Sequence, residues 1–177
     1  MWQAETFDAA TLDRELGWAE GLGFNCARVF LHDLLWEQAG FLERVDQYLD
    51  IAWRHHIKTM FVLFDGVWDP RPASGPQRPP RPGVHNSGWV QSPGAAILSD
   101  PARYGELEAY VTGVTGRFAG DERVLAWDLF NEPDNPNPAY AGVELADKAE
   151  KAFRLLREVY GWARKVRPAQ PLTSGVW

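Results

Sequence analysis

The apolar run from Val124 to Phe130 stops abruptly at Asn131-Glu132-Pro133. Its length and aromatic content are those of a buried strand rather than a helix. Pro133 has no N–H to give to a central ladder, so the strand must end near Glu132. An amide and a carboxyl group therefore stand side by side at the carboxyl end of a strand. In barrel-type α/β enzymes that end presents the reactive groups. The plainer reading of Glu132 is a carboxylate that caps the turn after the strand.

Strand-like and helical patterns alternate along the rest of the chain. Asp8 or Thr11 can cap a helix reaching about Leu22, with Leu12, Leu16, Ala19 and Leu22 at helical spacing and Gly21 and Gly23 at its end. Phe24 to Leu31 reads as a short apolar strand. Phe41 to His55 is helical through Leu42, Val45, Leu49 and Ala52. Lys58 to Phe64 is a second strand. Asp100-Pro101 opens a helix that runs to about Phe118, with Asp at the cap and Pro in the first turn. Tyr140 to Val166 is the longest helical pattern. Pro168 and Pro171 close it, and Leu172-Thr173-Ser174 follows as a short strand. Strands separated by helices pair in parallel through right-handed crossovers, which favours an α/β barrel or an open α/β sheet. No Gly-x-Gly-x-x-Gly follows a strand, so a dinucleotide fold has no motif behind it.

The stretch Asp65 to Ser99 breaks this rhythm. It is rich in Pro and Gly, as in Asp69-Pro70-Arg71-Pro72 and Arg78-Pro79-Pro80-Arg81-Pro82-Gly83. Loops beyond about 12–15 residues in a compact domain are either functional or disordered. This one carries Trp68, His85, Asn86, Trp89 and Gln91, and disordered segments seldom hold such aromatics. It is expected to be ordered and to cover the strand ends.

The chain of 177 residues is 45% hydrophobic, enough for one core, so residues 1–177 are read as a single domain. Nine Trp and nine Phe supply a large aromatic core and leave some Trp rings to line a groove. The net charge of −6 and the lack of a basic stripe argue against a nucleic-acid partner. Arg71, Arg78 and Arg81 read as a solvated face. Cys26 stands alone, so no intrachain disulfide forms, and it reads as a small core residue rather than a nucleophile. No stretch nears the roughly 18 apolar residues of a membrane span, so no membrane partner is expected. Met1 to Glu5 lacks the basic and then apolar run of a signal peptide. A cytoplasmic location and secretion after removal of a signal both stay open.

Three segments together carry a resemblance. Phe24-Asn25-Cys26-Ala27-Arg28-Val29-Phe30, Phe61-Val62-Leu63-Phe64-Asp65 and Asn131-Glu132-Pro133 resemble the second, third and fourth barrel strands of clan A glycoside hydrolases, in particular the cellulase-like family 5. Leu172 to Trp177 resembles the start of the fifth. The resemblance implies a (β/α)₈ barrel, present here as about half a barrel of parallel strands. It implies that Glu132 is the acid/base that protonates the glycosidic oxygen and that Asn131 binds the sugar 2-hydroxyl. Arg28 would support the nucleophile. The implied substrate is a β-1,4-linked glucan, mannan or xylan, cleaved with retention. His32, Asp65, Trp68, His85, Asn86, Trp89 and Trp177 are the remaining candidate contacts to an oligo- or polysaccharide.

The chain departs from that family in one chemical respect. A full barrel typically needs about 250 residues, and its first strand is nearly absent from Met1 to Glu5. Retaining hydrolysis needs two carboxyl groups about 5–5.5 Å apart. The family's nucleophile is a Glu on strand seven, and Glu144, Glu150 and Glu158 all fall on the last helical pattern, a helix expected on the outside. The isolated chain is therefore expected to be weak or inactive. Asp65 is an alternative base for an inverting reaction, or more simply a loop-capping carboxylate. His32, Asp33, Asp65 and His85 lack tight ligand spacing, so no metal and no cofactor are expected. His55-His56 reads as structural at a helix end. Two readings without catalysis remain: a carbohydrate-binding half-barrel, and a fragment that associates with itself. In the latter, open sheet edges and an apolar inner face bearing Val29, Val62, Leu63, Leu125 and Leu129 would meet in a homodimer.

Overall fold

The computed structural model describes residues 1–177. Four strands form one sheet in chain order, every pair parallel: β1 (Cys26–Phe30), β2 (Lys58–Val62), β3 (Val124–Asn131) and β4 (Leu172–Gly175). The helices are α1 (Ala9–Gly21), α2 (Phe41–Arg54), α3 (Ala95–Leu98), α4 (Glu108–Arg117) and α5 (Lys148–Lys165). Asp8 caps α1, its carboxylate accepting from the N–H groups of Ala10 and Thr11 at 3.1 Å each. Val45, Tyr48, Leu49 and Ala52 form the buried stripe of α2, and Ala152, Leu155, Val159 and Trp162 that of α5.

Side chains alternate between the two faces of a strand. Phe61 and Trp127 are register partners whose rings stack at 5.7 Å. Tyr48 of α2 and Trp2 pack edge-on or tilted against Phe61 and edge-on against each other, making the aromatic centre of the core. The opposite face carries Arg28, Met60, Val62, Ala126 and Asp128, aligned by the pairs Arg28↔Met60, Met60↔Ala126 and Val62↔Asp128. No strand precedes β1. Trp2 is nonetheless buried, its indole N–H donating to the Phe30 carbonyl at 2.7 Å while its own carbonyl accepts from Arg44.

Four expectations need correction. The helix read from Tyr140 begins only at Lys148, and Pro138–Tyr140 is a single 3₁₀ turn. The intervening Glu144 turns its carboxylate inward, so it does not lie on an outer helix face. The helix read from Asp100 opens as a 3₁₀ stretch, Pro101–Leu107, containing Gly105, before α4 begins; glycine is a poor α-helix former. The inner apolar face is mostly not bare. Leu63 and Leu129 turn to the helix side and join the core, and Val62 is buried between its register partners Phe30 and Asp128. Leu125 is 40% exposed and Val29 is partly buried.

The long Asp65–Ser99 segment follows the carboxyl ends of the strands. Asp65 bridges to Ser92 on one side and Asn131 on the other. Asp69 bridges to Val90, and α3 forms before the segment closes.

Candidate active site

Glu132 leaves β3 with φ at +44°, in the left-handed region. A non-glycine residue there stores strain on the order of 1 kcal/mol and needs surrounding bonds to hold it. Its N–H donates to the Gly175 carbonyl at 2.5 Å. Its carboxylate accepts from the Asn135 side-chain amide at 2.7 Å, and its carbonyl accepts from the Asn135 N–H at 3.2 Å. Beneath the Glu132-Pro133 peptide lies Gly66, whose N–H donates to the Asn131 carbonyl at 2.9 Å. A Cβ on Gly66 would stand 2.5 Å from the Glu132 carbonyl oxygen, so this position requires glycine.

Asn131 is buried and fixed at both ends of its amide. Its Oδ1 accepts from the Arg28 guanidinium at 2.8 Å, and its Nδ2 donates to Asp65 at 2.9 Å. One amide hydrogen stays unassigned to the protein and available to a ligand. Arg28 also donates to the buried Asp128 carboxylate at 2.5 and 3.1 Å and lies over the Phe30 ring at 4.9 Å. Strand alternation alone would place Asp128 and Asn131 on opposite faces. The register shift between them re-aims Asn131, which is how one guanidinium reaches both.

Asp65 is 4% exposed. Burial pushes its carboxyl up to about 6, and the Glu132 carboxylate adds to the rise. The Asn131 amide, the Val67 N–H and the Arg28 charge oppose it. Its Oδ1 accepts from Val67 N–H at 3.2 Å, the geometry of a loop-capping carboxylate that also orients Asn131.

A second carboxylate lies behind this turn. Glu144 and Lys148 form an ion pair at 2.8 Å, with side chains 6% and 4% exposed. The Lys148 ammonium also donates to the Gly66 carbonyl at 2.7 Å. The Gln91 amide donates to the same carbonyl at 3.2 Å and to Glu144 at 2.5 Å. This network fixes the turn on which the Glu132 peptide rests.

Two adjoining cavities open at the strand ends, with Arg28, Phe30 and Trp89 lining both. The larger, about 790 Å³, holds Glu132, Asn131, Trp68, His85, Asn86 and Trp177. The smaller, about 440 Å³, holds His32 and Asp65. Thus the structure brings eight of the ten candidates to one cleft: Glu132, Asn131, Arg28, Trp68, His85, Asn86, Trp89 and Trp177. His32 is a strut rather than a free ligand. One ring nitrogen meets the Gln91 carbonyl at 2.9 Å and the other accepts from Leu34 N–H at 3.2 Å. Trp68 packs edge-on to both His85 and Trp89, at 5.4 and 6.0 Å, and Trp89 in turn packs on Phe30. Trp177 is 72% exposed, tied by its N–H to Asp134. No group of three or more His, Cys, Asp or Glu side chains comes together as a metal site would require.

Asp128, Asn135, Glu144 and Lys148 are site supports absent from the candidates. Asp128 had a readable signal, since a lone carboxylate in an apolar strand needs a buried partner just as Arg28 does. Asn135 is brought in by the turn after β3 and Lys148 by the start of α5, placements that no local pattern encodes.

No family model and no curated protein matches the chain. Solved structures do match. The endo-1,4-β-mannanase of Rhizomucor miehei superposes with a TM-score of 0.66 at 12% identity, over 99% of this chain and 54% of its own. The β-mannanase of the blue mussel Mytilus edulis gives 0.62 at 15% identity, over 95% of this chain and 52% of that one. GH5_18 from Streptomyces cattleya, in complex with GlcNAc, gives 0.63 at 17% identity, over 96% and 40%. This chain has the fold of about half a TIM-barrel glycoside hydrolase. At such identities the likeness is one of fold, and the chain spans about half or less of the length of these structures.

Proposed function

We propose that the cleft around Asn131 and Glu132 binds a β-1,4-linked glycan, of the glucan, mannan or xylan class. In a completed barrel, Glu132 is the acid/base of a retaining hydrolysis. The observation that carries this reading is the Asn131 amide, locked between Arg28 and Asp65 beside a carboxylate held in a strained backbone conformation. Strain of that kind persists where surrounding bonds enforce it, and it concentrates at functional sites. Asn131 presents its free amide hydrogen to a sugar hydroxyl, and Glu132 delivers a proton to the leaving oxygen. Arg28 acts through Asn131 and Asp128 as a positioning residue. Trp68 and Trp89 supply aromatic surface along the cleft wall.

Within this chain the second carboxylate of a retaining pair has no occupant on the cleft wall, where Glu132 is the only acidic residue. Covalent attack on carbon has no substitute, so the isolated chain binds and does not turn over efficiently. Glu132→Gln removes acid catalysis from any enzyme that contains this half-barrel. The test is titration of the chain with mannotetraose, xylotetraose and cellotetraose, followed through the indole N–H signals of Trp68, Trp89 and Trp177. Progressive shifts in at least one series, lost in Asn131→Ala, are expected. No shift with any of the three contradicts the reading.

A further inference from the structure

The cleft is lined by three arginines, Arg28, Arg78 and Arg81, with His85, against a single acidic residue, Glu132. This runs against the chain as a whole, which carries a net charge of −6. A neutral glycan can take hydrogen bonds from such a lining but no charge-to-charge attraction. The three arginines differ in what they are free to do. Arg28 is neutralised from behind by Asp128. Arg78 is pinned: its guanidinium pairs with Asp69 at 3.2 Å, donates to the Ser87 carbonyl at 3.1 Å and donates to the Tyr140 hydroxyl at 3.0 Å. The bond to Tyr140 joins the long loop to the turn after β3, so Arg78 straps the two sides of the cleft.

Arg81 is different. Its backbone N–H donates to the Ser87 hydroxyl oxygen at 2.6 Å, and its carbonyl accepts from Val84 N–H at 3.1 Å. With Arg78 bonded to Ser87 as well, the turn from Arg78 to Ser87 is braced from within. Its guanidinium makes no ion pair and no hydrogen bond to the chain, and the residue is exposed. The structure thus mounts an uncompensated planar cation on a braced turn in the wall of the cleft. A guanidinium in that setting matches a carboxylate or sulfate by two parallel hydrogen bonds.

Resting on the glycan reading above, we propose that the cleft selects an anionic glycan, a β-linked chain bearing a uronic-acid carboxylate or a sulfate ester, and that Arg81 reads the charged group.

The test is calorimetric titration of the whole chain with three probes of equal backbone: xylotetraose, a glucuronosyl-substituted xylotetraose and a sulfated xylotetraose. At low ionic strength at least one acidic probe is expected to bind about five-fold more tightly than the neutral one, the scale of one exposed charge pair. That advantage should vanish in Arg81→Gln and shrink at 0.5 M salt, where screening is nearly complete at ~4 Å. Which acidic probe is preferred separates carboxylate from sulfate. Equal affinity for neutral and acidic probes overturns this proposal and leaves the glycan reading standing. A preference that survives Arg81→Gln overturns the role of Arg81. Binding of none of the three overturns both this proposal and the xylan form of the reading beneath it.

Discussion

At the scale of single residues, Asp65 stands in the smaller cavity and holds Asn131, which lines the larger one. It caps the loop through Val67 and orients the amide of Asn131, and it does so from a site buried enough to hold its carboxyl at about 6 rather than its usual 3.8. The folded state therefore binds the Asp65 proton more tightly than the unfolded chain does. Its ionised form is a penalty on folding that is absent below about pH 4 and complete above about pH 6. The contribution to stability falls by about 3 kcal/mol across that window, from the two-unit rise alone. Asp65→Asn keeps an acceptor for Asn131 and removes the titration. Urea midpoints from pH 4 to pH 7 should show the variant gaining on the wild type as pH rises. A difference independent of pH would contradict the assignment. At this scale the sequence was informative where chemistry is local. Asn131 and Glu132 are adjacent at a strand end, and a lone Arg28 in an apolar strand demands a partner. Asp128 made the same demand, and its pairing with Arg28 depends on a register that no single strand contains.

Among the elements, the turn after β3 and the start of α5 support Glu132 from behind. Lys148, at the first turn of α5, reaches the Gly66 carbonyl and the Glu144 carboxylate with its side chain nearly all buried. Removing one member of a buried pair strands the other charge, at a cost of about 3–5 kcal/mol. Lys148→Met should lower stability to unfolding in urea by that amount. The double variant Lys148→Met, Glu144→Gln should cost less than Lys148→Met alone, because no charge is left stranded. A loss below about 1 kcal/mol in Lys148→Met would show that the pair is not the support described. The strands β2 and β3 follow the apolar runs of the sequence closely, because burial of most of their residues leaves long apolar signatures. The start of α5 does not. The stretch Tyr140 to Asp147 has helical spacing, yet Glu144 turns inward, where the Lys148 ammonium and the Gln91 amide both meet its carboxylate. That choice is made by tertiary contact, which periodicity cannot express.

At the scale of the whole chain, the four-stranded sheet is open at both sides. β1 and β4 each have one unpaired edge, and edge strands with free N–H and C=O groups pair readily with other chains. Apolar side chains stand exposed on both flanks: Trp18, Leu22 and Phe24 near β1, and Phe153, Tyr160, Val176 and Trp177 on α5 and after β4. Our reading is that the chain associates with a second copy through these edges, most simply as a two-fold dimer. Light scattering at tens of micromolar should give about twice the monomer mass, and a monomer mass would rule the dimer out. The half-barrel plan was legible because the number of strand–helix units is countable in sequence. The path of the Asp65–Ser99 segment was not, because its bridges to Asn131 and Ser92 are long-range backbone pairings. That segment supplies Trp68, His85 and Trp89 to the wall of the cleft that holds Asn131 and Glu132. A crystal structure of the chain soaked with a β-1,4-linked tetrasaccharide is the decisive measurement of glycan binding there. A glycosidic oxygen within hydrogen-bonding distance of the Glu132 carboxylate and a sugar hydroxyl on the Asn131 amide are expected. A sugar bound elsewhere, or in the cleft without either contact, would contradict the proposed function.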